Sequence, residues 1–232
     1  MTVNFDDIKY IAFDLDGTLV DSVPDLAEGI RMALADHDLH TVTDNEVRNW
    51  IGNGAEIMLK RALSQNVTIK PDIDEALYQK VRERFDFHYA NNGHDKTIVY
   101  PGVKETLAEL KAAGYTLGVV TNKPYQFVPE ILTDLNLAQF FTDVIGGDSL
   151  PTNKPDPEGL FSLRDKHSLS NENMLMVGDS KNDILAAKNA GYVSVGLTYG
   201  YNYGEPISDS APEFVADHFN QLLTVLSTEK TA

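Results

Sequence analysis

The sequence predicts an α/β fold: a parallel sheet with helices on both faces, interrupted near its start by an inserted all-helical cap. Three observations predict it. Short apolar runs recur along the chain, each followed by a turn and then by helical periodicity, the alternation that builds parallel sheets. Residues 22–98 break that rhythm with helical patterns alone. The first apolar run ends in two carboxylates, Asp14 and Asp16, followed by a Gly-Thr turn. In open α/β sheets ligands bind at such strand ends.

The strand-like runs lie at 8–13, 115–120, 142–145, 174–177 and 193–197. Helical periodicity follows at 103–113, 127–135, 157–166, 182–190 and 218–226. Gly114 and Gly191 stand just past two of these patterns, where helix-ending glycines belong. In the interrupting stretch, residues 24–36 read as a helix with Leu26, Ile30, Ala33 and Leu34 on one face. Thr43-Asp44-Asn45-Glu46 is a capping-box pattern that opens another helix. Gly52-Asn53-Gly54 reads as a turn, 55–63 as helix and 72–89 as a long amphipathic helix. The expected division is a Rossmann-like core, 1–20 and 99–232, around a helical cap, 21–98. The tail, 227–232, is expected to fray.

Composition narrows the function. Hydrophobic residues make up 42% and charged residues 23%, an ordinary globular balance. The net charge of −16, from 35 acidic and 19 basic residues, argues against nucleic acid and anionic membranes as partners. An anionic substrate would need local positive charge. The chain has no cysteine, which excludes disulfides and thiolate metal sites. No apolar run approaches the ~18 residues of a membrane span, and the first residues lack a signal-peptide pattern. The expectation is a cytoplasmic protein.

The residues able to do chemistry stand just past the strand-like runs. Asp14 and Asp16 sit two apart on an extended segment, so they point to the same side, unfavourable unless a cation or proton intervenes. Thr121 and Asn122 follow the second strand; Gly178, Asp179 and Ser180 follow the fourth, with Asp183 close behind. Lys154 lies in the loop Thr152-Asn153-Lys154-Pro155. Taken singly, each has a bland reading: a turn aspartate, a strand-end hydroxyl, a solvated lysine, a helix cap, a surface helix residue. Parallel strands would bring them all to one edge. Clustered carboxylates suit a hard cation such as Mg²⁺, and a hydroxyl with a lysine suits a phosphate. Together they suit phosphoryl transfer to a carboxylate. Trp50, the tyrosines at 199–203 and the six histidines read as packing or scattered residues with no catalytic part.

These blocks, in this order around a helical insertion, resemble the haloacid dehalogenase superfamily of phosphatases: Asp14 to Thr18, Thr121, Lys154, and Gly178 to Asp183. The strings Trp50-Ile51-Gly52-Asn53-Gly54-Ala55, Thr121-Asn122-Lys123-Pro124 and Gly196 to Gly204 are similar to its bacterial phosphoglycolate phosphatases. The resemblance implies that Asp14 is the nucleophile and forms an aspartyl-phosphate. It implies that Asp16 protonates the leaving oxygen and then takes a proton from water. Thr121 and Lys154, with Asn122 in support, would hold the phosphate. The Asp14 carboxylate, the Asp16 carbonyl and Asp179 would hold Mg²⁺, with Asp183 as a further or water-mediated ligand and Thr18 and Gly178 in support. The Gly52-Asn53-Gly54 turn opens a helix whose free amides suit the carboxylate of 2-phosphoglycolate.

The expected activity is therefore Mg²⁺-dependent hydrolysis of a small phosphomonoester by a monomer. A phosphosugar mutase or broader sugar phosphatase would share nearly all the core residues. A dehalogenase would have no use for Asp16. A receiver-type signalling domain also clusters aspartates with a threonine and a lysine, but lacks a helical insertion. A silent binding protein would not need the complete set.

Overall fold

The computed structural model describes residues 5–91 and 94–226. Six strands form one parallel sheet: β1 (Tyr10–Phe13), β4 (Thr116–Val120), β5 (Asp143–Ile145), β6 (Met174–Gly178), β7 (Val193–Leu197) and β8 (Phe214–Ala216). Their spatial order is β5-β4-β1-β6-β7-β8. Residue 10 of β1 pairs with Thr116 on one side and Met174 on the other. The chain thus winds outward both ways from β1, and the switch point for a ligand falls beside its carboxyl end.

Both faces of the sheet are covered, and β1 reports this directly. Ile11 and Phe13 join an apolar cluster with α5 (Val103–Ala112), α6 (Val128–Asp134) and α9 (Gln221–Leu226). Tyr10 and Ala12 join the opposite one, with α7 (Glu158–Lys166) and α8 (Lys181–Ala190). A strand buried on both sides is apolar throughout rather than alternating, which is why β1 reads as an unbroken run. Gly191 ends α8 in the left-handed region at φ +73°.

Beneath the switch point, the Tyr10 hydroxyl donates to Asp143 Oδ2 at 2.8 Å, joining β1 to β5. Lys166 and His167 also donate to this carboxylate. Burial would push the Asp143 carboxyl up, but the three donors outweigh it and hold it below the usual range. A lowered carboxyl contributes stability above its unfolded pKa of about 3.9 and loses it as pH falls through the folded value. Asp143→Asn is therefore expected to lower Tm at pH 7, with the gap to wild type closing below about pH 4. A gap independent of pH would contradict this reading.

A two-stranded antiparallel ribbon, β2 (Val20–Asp21) with β3 (Ile98–Val99), marks where the chain leaves the sheet domain and returns. The sequence reading did not anticipate it, nor the edge strand β8, because two or three residues carry no periodicity. Between β2 and β3 lie α1 (Val23–Ala35), α2 (Asp44–Arg48), α3 (Gly54–Ser64) and α4 (Glu75–Asn91). The Thr43–Glu46 capping box opens α2 as its pattern predicts. These helices enclose an apolar cluster of their own, including Leu26, Ile30, Trp50, Leu59 and Phe85, to which α6 contributes Ile131 and the turn before it Phe127. The four helices therefore rest on the sheet domain directly above the switch point. The tail expected to fray, 227–232, lies outside the described residues.

Candidate active site

After Phe13 the chain turns sharply. Gly17 has φ +89°, and a Cβ there would lie 2.3 Å from Asp179 Oδ2. Only glycine lets this turn approach β6 so closely. Asp14 is buried, and its Oδ1 accepts from the Leu15 N–H at 2.7 Å. The Lys154 ammonium lies 3.0 Å from the same oxygen and 2.6 Å from Asp183 Oδ1. Lys154 is thus no solvated loop residue: it is buried between two carboxylates.

Asp183 is not a surface residue either. It stands in the first turn of α8, wholly buried, and its Oδ2 accepts from the Ser180 N–H and hydroxyl. Gly178 lets it come close, since a Cβ there would lie 2.3 Å from the Asp183 side chain. Asp179 accepts from the Thr18 hydroxyl at 2.7 Å and from the Tyr201 N–H at 2.5 Å. Carboxylate oxygens of Asp14, Asp179 and Asp183 all lie within 4.8 Å of one another.

Burial pushes the Asp14 carboxyl up to about 7, even against the pull of Lys154. It raises Asp179 well above the usual range, and Asp183 and Asp14 add to the rise. Burial would lower the Lys154 ammonium, but Asp14 and Asp183 outweigh it and raise it. Buried hard-oxygen donors this close fit a divalent cation, which would relieve their repulsion.

Asp16 faces away from this cluster. Its Oδ1 accepts from the Ser22 hydroxyl at 2.5 Å, and the Lys123 ammonium lies 3.3 Å away. The carboxylate pair is thus divided between two sets of partners. Thr121 is buried at the end of β4 and accepts from the Lys123 N–H. The Asn122 side-chain amide spends both protons on the carbonyls of Gly52 and Lys154.

Gly52 is therefore held to the sheet domain, and Asn182 donates to the same carbonyl. The Asn53 side chain accepts from the Tyr203 hydroxyl. Tyr201 is engaged too, donating to Asp21 and accepting from the Ser22 N–H. Tyr201 and Tyr203 fasten the helical segment rather than line the site, while Tyr199 donates to the Thr18 carbonyl in the turn after β1. Trp50 packs inside the helical cluster.

A cavity separates the helices from the sheet edge. Asp14, Asp16, Thr121, Asn122 and Lys123 line one side, and Gly52, Gly54, Ala55, Met58, Phe85 and Tyr89 line the other. Sequence reasoning missed Ser22, Lys123 and Tyr89. Lys123 had a visible signal, two residues past the strand-end Thr121. Ser22 and Tyr89 had none, because only the tertiary fold carries them to Asp16 and Lys123.

Residues 11–197 match the family model of haloacid dehalogenase-like hydrolases. The chain belongs to the haloacid dehalogenase-like hydrolases. The hydrolase is 56% identical over 221 residues to a phosphoglycolate phosphatase of Vibrio parahaemolyticus, covering 95% of this chain and 97% of that one. It is 48% identical to one of Pasteurella multocida, over 94% and 98%. A crystal structure of a predicted phosphoglycolate phosphatase from Haemophilus somnus superposes with a TM-score of 0.87 at 43% identity, covering 94% and 98%. Among the described residues of the hydrolase, no helix is long and apolar enough to cross a membrane.

Proposed function

We propose that the hydrolase cleaves 2-phosphoglycolate to glycolate and phosphate through an aspartyl-phosphate on Asp14, with Mg²⁺ at the aspartate cluster. The observation that carries this reading is one buried nucleophile, Asp14, set between the aspartate cluster and a cavity that also holds Asp16. The names of the similar bacterial enzymes support the substrate.

Asp14 Oδ1 is fixed by Leu15 and Lys154, so Oδ2 is the oxygen that attacks phosphorus. Lys154 and the Thr121 hydroxyl hold the phosphoryl oxygens. Any help from Asn122 falls to its main-chain N–H, because its side-chain protons are spent. Asp14, Asp179, Asp183 and the Asp16 carbonyl would hold Mg²⁺, which would supply the charge neutralisation that lets an anionic nucleophile meet an anionic phosphate. Asp16 gives its proton to the departing glycolate oxygen. It then takes one from the water that attacks the aspartyl-phosphate and frees Asp14.

The helical segment acts as a cap that excludes water. The cavity under it is lined on the cap side by Gly52, Gly54, Ala55, Met58, Phe85 and Tyr89. A sugar-phosphate mutase would share the core residues of a phosphatase. Free phosphate rather than an isomerised sugar phosphate is the product that separates the two. The start of α3, at Gly54 and Ala55, faces the same space and offers free amides to the substrate carboxylate. One chain supplies every group, so the mechanism works in a monomer.

Chelation by EDTA is expected to stop turnover and Mg²⁺ to restore it. Mg²⁺ should also raise Tm, since it binds the folded cluster alone. Full activity in EDTA would remove the metal from the mechanism. Asn53→Ala loses the Tyr203 bond that holds the turn. It is expected to raise KM for 2-phosphoglycolate by about 5-fold, the worth of one neutral hydrogen bond. Unchanged selectivity among small phosphomonoesters would take the Gly52–Gly54 turn out of recognition.

A further inference from the structure

The substrate pocket holds one cation that the hydrolytic steps do not consume. Lys123 lies on the cavity wall only 6% exposed. Its ammonium sits 3.3 Å from Asp16 Oδ1 and 3.4 Å from Oδ2, both longer than the 2.7–2.9 Å typical of such charged pairs. It also lies 4.7 Å from the centre of the Tyr89 ring. Tyr89, 2% exposed, lines the same cavity from the far end of α4. Among the described residues its hydroxyl has no hydrogen-bond partner. Lys123 acts on it electrostatically, but an ammonium only donates, so the phenol proton lacks an acceptor.

Buried polar groups are seldom left this way, and an unmet hydroxyl in a cavity is satisfied by what fills the cavity. Around this side chain pack the rings of Phe85, Phe127 and His94, none of which takes its proton, and the Lys123 ammonium lies over its ring. The missing partner is therefore an acceptor. A carboxylate supplies two acceptor oxygens and the negative charge that Lys123 is able to match. A neutral group would leave the ammonium with the distant Asp16 pair alone.

We propose that Lys123 and the Tyr89 hydroxyl together bind the carboxylate of the substrate, and so select phosphomonoesters of small acids over neutral ones. This rests on the reading of 2-phosphoglycolate as substrate. Lys123 comes from the sheet domain and Tyr89 from the cap, so the bound carboxylate ties the two together. A substrate without it has no such tie and closes the cap less well.

The test compares kcat/KM for 2-phosphoglycolate and for ethyl phosphate, its near-isostere without the carboxylate. The readout is the ratio of the two. Lys123→Met is expected to lower that ratio by about 30-fold, the loss of a charge-assisted hydrogen bond. Tyr89→Phe keeps the ring and its packing, and is expected to lower the ratio about 5-fold, mostly through KM for 2-phosphoglycolate. It carries the test where Lys123→Met does not fold. If both substrates lose the same factor, Lys123 serves Asp16 and the proposal is overturned. A wild-type preference that survives intact in both variants also overturns it, while leaving the substrate reading in place. A wild-type ratio near one overturns both.

Discussion

Asp14→Asn is expected to abolish turnover while leaving the fold intact. Removing the nucleophile of a covalent mechanism costs at least about 10⁴-fold in kcat. The second half of the prediction is less obvious. Burial holds the Asp14 carboxyl up to about 7, so the charged form is disfavoured in the folded protein. A carboxyl raised by folding costs stability once pH passes its unfolded value of about 3.9. An amide of the same shape removes that cost. Lys154 keeps Asp183 at 2.6 Å as its partner. Metal-free Asp14→Asn should therefore melt no lower than metal-free wild type at pH 7, and Mg²⁺ should raise its Tm less. An inactive variant that is also poorly folded would leave the catalytic role without support. Substantial residual activity would remove it.

Lys154→Met is expected to be inactive for a different reason, and unstable as well. The methionine fills the space of the lysine stem but leaves Asp14 and Asp183 facing each other without their shared cation. Breaking a buried ion pair from one side costs about 3–5 kcal/mol. Loss of a group that holds the phosphoryl oxygens costs a further 10²–10³-fold in kcat, roughly the value of one such donor. The two effects separate in a double variant. Adding Asp183→Asn removes one of the stranded charges, so part of the lost Tm should return while activity stays absent. Recovery of activity with stability would mean that Lys154 acts only as a structural tie.

Much of this arrangement was legible in the chain. Four of the five predicted strands could be read because they are buried on both faces and so run apolar, as Tyr10 to Phe13 do; the edge strand Asp143–Ile145 is only partly buried. The strand-end residues could be read because a parallel sheet sends Asp14, Thr121 and Asp179 to one edge whatever the details of the loops. The bland readings of Lys154 and Asp183 failed because burial is not a local property. Each is buried by the other, from segments 29 residues apart.

The ribbon of β2 and β3 and the edge strand β8 are too short for periodicity to reveal. The partners of Asp16 were hidden for another reason. Ser22 reaches it by a chain reversal, and Lys123 meets it on one wall of a cavity whose other wall is the cap. The Gly52–Gly54 turn was visible as a turn, but its fastening to Asn122, Asn182 and Tyr203 depends on how the cap rests on the sheet domain.

Hydrolysis runs through a covalent step: 2-phosphoglycolate transfers its phosphoryl group to Asp14 before water releases it. The most direct test is rapid acid quenching of the Mg²⁺-loaded enzyme during turnover of 2-phosphoglycolate, followed by mass spectrometry of its peptides. The expected result is a phosphoryl adduct on Asp14 that appears before free phosphate and decays as phosphate is released. Phosphate release with no adduct on Asp14, or an adduct on another residue, would contradict it.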